Sequence, residues 1–136
     1  MTYAGELSPS EAWELLDRDP EAVLVDVRSE AEWMFVGVPD ITELGKKLVT
    51  VSWNLWPSGT GNPQFLQQLA ETGVNEGPVL FLCRSGIRSR AAAQAAAAAG
   101  IAPSYNVSQG FEGDLDEHGH RGGAGWRAAG LPWRQQ

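Results

Sequence analysis

Two short apolar runs limit what this chain can fold into more than any other feature. Ala22-Val-Leu-Val-Asp-Val27 and Pro78-Val-Leu-Phe-Leu-Cys83 are rich in β-branched and bulky residues and show no apolar–polar alternation. A strand with one wet face alternates; a continuous run marks a strand covered on both faces. Helical patterns separate these runs. Ser8, Pro9 and Glu11 form an N-cap, a first-turn proline and a capping box, with Ala12, Leu15 and Leu16 as the apolar face and Asp19-Pro20 as the stop. Ser29-Glu-Ala-Glu-Trp33 reads as a capped helical turn closed by Gly37 and Pro39.

The alternation continues along the chain. Leu48–Trp53 is a strand candidate, and Asn62-Pro63 is expected to cap a helix through Phe65, Leu66 and Leu69 to about Gly73. Val79–Leu82 is a strand, Ser89–Ala99 a helix stopped by Gly100, and Ser104–Val107 a last strand. The tail from Gly110 is glycine-rich, with a short helical pattern near Trp126. The fold class is therefore α/β, with a central parallel sheet and helices on both faces. Ligands in such sheets bind beyond the carboxyl ends of the strands, where Cys83 lies.

The 136 residues fit one domain able to bury its own core. We expect a core over about 6–112 and a glycine-rich extension over about 113–136. No window reaches the roughly 18 apolar residues of a membrane helix. The start, Met1-Thr-Tyr-Ala-Gly-Glu6, has no basic segment followed by an apolar one, so a cytoplasmic protein is expected. A formal charge of −7 argues against nucleic acid as a partner. The charge is uneven, however. Gly77 to Phe111 contains no Asp or Glu, while Arg84, Arg88 and Arg90 fall close together, a patch suited to a small anion.

Cys83 is the only cysteine, which excludes an internal disulfide and leaves no second thiol to resolve an adduct. A lone cysteine after an apolar strand is often an inert hydrophobe. Its neighbours argue otherwise, because an inert core position needs none of them. A helix N-terminus and cationic side chains favour the reactive thiolate. Gly86 permits a turn whose N–H groups converge as an anion nest, and the amides of Arg84, Ser85, Gly86, Ile87, Arg88 and Ser89 are its candidate donors. Arg84 and Arg88 add guanidinium donors suited to an oxyanion, and Ser85 and Ser89 hydroxyls that can reach the sulfur.

Cys83-Arg-Ser-Gly-Ile-Arg-Ser89 resembles the active-site loop of the rhodanese-like family. Leu7-Ser-Pro-Ser-Glu-Ala12 resembles that family's first helix, Leu24-Val-Asp-Val-Arg28 with Ser29–Trp33 its Asp-x-Arg segment, and Asn106–Phe111 its last strand and turn. The resemblance implies sulfur transfer through a Cys83 persulfide, from an anionic donor such as thiosulfate to cyanide, a small thiol or a protein thiol, without cofactor or metal. Arg84 and Arg88 would hold the donor's sulfonate. Gly37-Val-Pro-Asp40 and the stretch from Ile41 to Gly61 depart from the family pattern, with Trp53 and Trp56 as candidate pocket residues.

Four further readings follow from the residues. Arg88 closes a Cys-x4-Arg spacing, one residue shorter than the Cys-x5-Arg loop of phosphatases and arsenate reductases on the same fold; Ser89 stands where those need arginine. A non-catalytic or partner-dedicated module is the other alternative. Asp26, Arg28 and Glu32 are expected to form a structural ion pair, Arg28 choosing either carboxylate. Asp116-Glu-His-Gly-His120 has metal-like composition but only two closely spaced histidines, and reads as a solvated loop.

Overall fold

The computed structural model describes residues 2–55 and 57–135, and its main sheet is the parallel one expected. Strands β1 (Gly5–Leu7), β2 (Val23–Asp26), β4 (Val49–Thr50), β5 (Val79–Leu82) and β6 (Ser104–Val107) run in the order β1-β6-β5-β2-β4, every pairing parallel. Helices α1 (Pro9–Arg18), α2 (Glu30–Phe35), α3 (Phe65–Glu71) and α4 (Ile87–Ala98) complete it. A small antiparallel ribbon joins β3 (Val38–Pro39) to β7 (Trp133–Arg134).

The central strands explain the two cores. Because side chains alternate across a strand, β5 sends Val79, Phe81 and then Cys83 to one face and Leu80 and Leu82 to the other. The first face packs on α3 and α4 through Phe65, Leu69, Ala92, Ala93 and Ala96; the second packs on α1 through Ala12, Leu15 and Leu16. Alanine is a strong helix former with almost no side-chain bulk. The buried face of α4 is Ala92, Ala93, Ala96 and Ala97, so this helix lies close against the sheet with its first turn beside Cys83.

Both capping boxes form. Ser8 Oγ accepts from Glu11 N–H at 3.1 Å while the Glu11 carboxylate takes Ser8 N–H at 2.8 Å. Ser29 and Glu32 repeat the arrangement at α2.

Several boundaries differ from expectation. β4 covers only Val49–Thr50, although Val51 and Trp53 N–H groups still reach carbonyls of Asp26 and Val27. Helix α3 starts at Phe65, because Asn62 Oδ1 is used to close a turn onto Gln64 N–H. Helix α4 starts at Ile87, two residues early, so Ser89 sits in its first turn. The short β1, β3 and β7 carry too little pattern to be read from sequence. The segment expected as an extension is packed into the fold: Trp126 is fully buried against Trp13, and its indole N–H donates to Pro132 O at 2.7 Å. No helix among the described residues is long and apolar enough to cross a membrane.

Candidate active site

Strand β5 ends at Leu82, and the next residue, Cys83, turns its sulfur under the start of α4. Cys83 is 1% exposed. Its Sγ accepts a hydrogen bond from Gly86 N–H at 3.1 Å and faces Ser89 Oγ at 3.2 Å. Gly86 adopts φ +109°, a conformation that L side chains rarely adopt, and it forms the N-cap of α4. The turn there requires glycine.

Three of the loop's carbonyls are tied to groups other than the sulfur. Cys83 O accepts from Phe111 N–H at 2.8 Å, and Arg84 O from the N–H groups of Glu112 and Gly113 at 2.9 and 3.1 Å. Gly86 O accepts from Asn106 Nδ2 at 3.0 Å and from Arg90 N–H at 3.2 Å. Among the described residues no carbonyl takes the N–H groups of Arg84, Ser85, Ile87 or Arg88. A loop with these three carbonyls held by other groups and free donors ahead of it is an anion cradle, reinforced by the helix N-terminus. Gly110 makes this contact with the following turn: at φ +55° it allows an approach in which any Cβ would sit 2.7 Å from Arg84 O.

Behind the sulfur lies a polar chain that the sequence reading did not assign. Ser89 Oγ is 2.5 Å from Asn106 Oδ1, and Asn106 Nδ2 donates to Glu6 Oε1 at 2.8 Å as well as to Gly86 O. Those two acceptors fix the amide's orientation. Glu6 in turn meets Arg90 at 3.2 Å. Burial works against Glu6's charge, but Arg90, Tyr3 and Asn106 outweigh it and hold its carboxyl below the usual range. A buried asparagine inside a short strand was the available signal, since such groups are placed for their hydrogen bonds.

The ion pairs fall differently from expectation. Arg28 and Asp26 are both fully buried and joined through Nε and Nη2, with Nη2 also donating to Gly37 O at 2.6 Å. Glu32 is not part of this pair. It takes Arg88 instead, in a two-pronged bond at 2.8 and 3.0 Å that ties α2 to α4. Burial pushes the Glu32 carboxyl up, but the hydrogen bonds and charge of Arg88, with help from Ser29, hold it at about 2. Arg88 also lies within the electrostatic reach of Cys83 and Asp26. Arg84 is exposed and makes no ion pair among the described residues.

The remaining expected residues sit at the rim or away from it. Ser85 is partly buried and Ile87 is 71% exposed. Trp53 packs edge-on against Phe65 at 4.9 Å and lines an open cavity of about 380 Å³ with Gly61, Asn62 and Pro63. Trp56 lies outside the described residues. In the acidic loop, Asp116 Oδ1 accepts from the backbone N–H groups of His118 and His120, so this carboxylate closes a turn.

A parallel sheet in this order, carrying a thiol loop at the tip of its central strand and under a helix N-terminus, defines a rhodanese-like α/β protein. The family model described as the STR4 middle domain matches residues 4–136, and the chain belongs to that family. It is similar to a crystal structure of Rv0390 from M. tuberculosis at 56% identity and a TM-score of 0.93, covering 99% of this chain and 100% of that one. The uncharacterized protein RC0915 of Rickettsia conorii is 34% identical over 128 residues, spanning 92% of this chain and 93% of that protein. The thiosulfate sulfurtransferase GlpE of Actinobacillus pleuropneumoniae serotype 5b is 28% identical over 127 residues, spanning 93% and 90%.

Proposed function

We propose that this protein is a sulfurtransferase that carries a sulfur atom on Cys83, within one rhodanese-like domain working in the cytoplasm. The observation that carries the reading is the Cys83 sulfur under the first turn of α4, bonded by Gly86 N–H, with unpaired loop amides around it. Preorganised donors of this kind stabilise a sulfur anion without reorganising during the reaction. Similarity to a thiosulfate sulfurtransferase supports the donor class.

The reaction divides into two displacements. The Cys83 thiolate attacks the outer sulfur of an anionic donor such as thiosulfate. A sulfur–sulfur bond forms to Sγ as the donor's own sulfur–sulfur bond breaks, and the electron pair leaves with sulfite. The persulfide anion then sits among the loop amides from Arg84 to Ser89. A thiolate or cyanide attacks its outer sulfur, the bond to Sγ breaks, and the electron pair returns to Cys83. Arg84, free of ion pairing, holds the donor's sulfonate. With one cysteine in the chain, the acceptor thiol comes from outside.

Exposed apolar side chains on the loop and on the helix tethered to α4 favour a protein thiol as acceptor. Ile87 is 71% exposed, and Met34 and Phe35 on the tethered helix α2 are 60% and 71% exposed. The test is to mix the protein with thiosulfate and weigh it. A gain of one sulfur atom that is lost in Cys83→Ser is expected. A folded protein that takes up no sulfur from thiosulfate or from a small persulfide rules the reading out.

A further inference from the structure

The charge balance of the loop carries one inference, which rests on the anion-binding part of the reading above. The sequence offers two guanidinium groups, Arg84 and Arg88, around the thiol. The structure gives one of them a full counter-charge. Glu32 meets Arg88 with both oxygens, and the two side chains are largely withdrawn from water, 18% and 28% exposed. The bidentate form occupies the edge of Arg88 best suited to an oxyanion. Glu32 is held in place from its own side, where Oε1 also accepts from Ser29 N–H at 3.1 Å and from Ser29 Oγ at 3.1 Å.

We propose that Glu32 is a specificity-determining residue, which cancels Arg88 and so sets the cradle to bind singly charged sulfur species in preference to dianions. Arg84 and the loop amides supply roughly one positive charge to an incoming ligand. That matches a persulfide anion or a monoanionic thiosulfonate. A dianion such as thiosulfate or sulfite finds its second charge unmatched and faces the nearby Glu32 carboxylate. Beside the half-buried Glu32–Arg88 pair and the buried sulfur this mismatch is felt more strongly than on an open surface. The same arrangement helps a divalent product such as sulfite to leave.

Inert probes test this without requiring turnover. Protection of Cys83 from alkylation by iodoacetamide is titrated with sulfate, a dianion, and with methanesulfonate, a monoanion of similar shape. Glu32→Gln keeps a group able to cap α2 but removes the charge. It should tighten sulfate by about three- to tenfold and methanesulfonate only by the square root of that factor, about two- to threefold. Ser29→Ala, which damages the cap and leaves the ion pair, should leave the ratio unchanged. The double variant Glu32→Gln with Arg88→Gln, which removes a neutral pair, should restore the wild-type ratio. Equal tightening of both anions, no tightening, or the same shift in Ser29→Ala overturns the proposal. Sulfur uptake from thiosulfate, weighed on the same samples, separates this outcome from failure of the sulfurtransferase reading.

Discussion

Arg28 lays its guanidinium over the ring of Phe111, 4.3 Å from the centroid, and both residues are fully buried. This contact joins the end of β2 to the turn that supports the cysteine loop, because Phe111 N–H is the donor to Cys83 O. Arg28 is also the only ion-pair partner of Asp26 among the described residues.

Arg28→Ala is therefore expected to act on stability. It strands a buried carboxylate, and breaking one side of a buried pair costs about 3–5 kcal/mol. Denaturant unfolding should show a loss of this size, while the fraction that stays folded takes up sulfur normally. A variant with an unchanged melting temperature and no sulfur uptake would show instead that Arg28 serves the chemistry.

Glu32 makes stability depend on acid. Its carboxyl ionises near 2 in the folded protein against an ordinary value of 4.5. The stability it contributes is fully present above about pH 4.5 and is lost as the pH falls toward 2, because protonation must then break the bond to Arg88. Allowing for partial exposure of the pair, the contribution is on the order of 2 kcal/mol. Between pH 6 and pH 3 the wild type should lose about 1 kcal/mol more than Glu32→Gln, a little over half of the whole, because the rest of the linked protonation lies below pH 3. Parallel curves for the two proteins would show that Glu32 carries no linked proton.

Arg84 should matter to donors in proportion to their charge. Arg84→Ala is expected to raise the KM for thiosulfate by about five- to tenfold and that for an uncharged sulfane donor by about twofold or less. The second half-reaction, measured from preformed persulfide, should change less than the first, because the loop amides still hold the persulfide anion. An equal rise for both donors argues against sulfonate binding at this residue.

The parts of the fold read correctly from sequence are those where local pattern and burial agree. Val79–Leu82 and Ser104–Val107 are continuous apolar or buried runs, and Ser8 with Glu11 writes its own helix start. The misreadings share another cause. Glu32 lies 56 residues from Arg88, and nothing local distinguishes it from a partner for Arg28, four residues away. Ser89 does turn its hydroxyl to the sulfur as expected, but α4 starts two residues earlier, because Gly86 at positive φ forms its N-cap, and the Asn106 partner lies 17 residues away. Trp126 lies in a glycine-rich stretch that suggests a loose tail, and only the space left between Trp13 and Phe111 explains its burial.

The backward-facing carbonyls of the loop have a consequence for the order in which the chain can become active. Every bond that turns Cys83 O and Arg84 O away from the sulfur comes from Phe111, Glu112 and Gly113, and Asn106 holds Gly86 O. A ribosome that has released only as far as the end of α4 therefore presents a thiol without its cradle. During synthesis Cys83 is an ordinary cysteine for the time needed to add some fifteen to thirty more residues, about a few seconds at cellular elongation rates. Its chemistry begins only when β6 and the turn after it have closed over the loop.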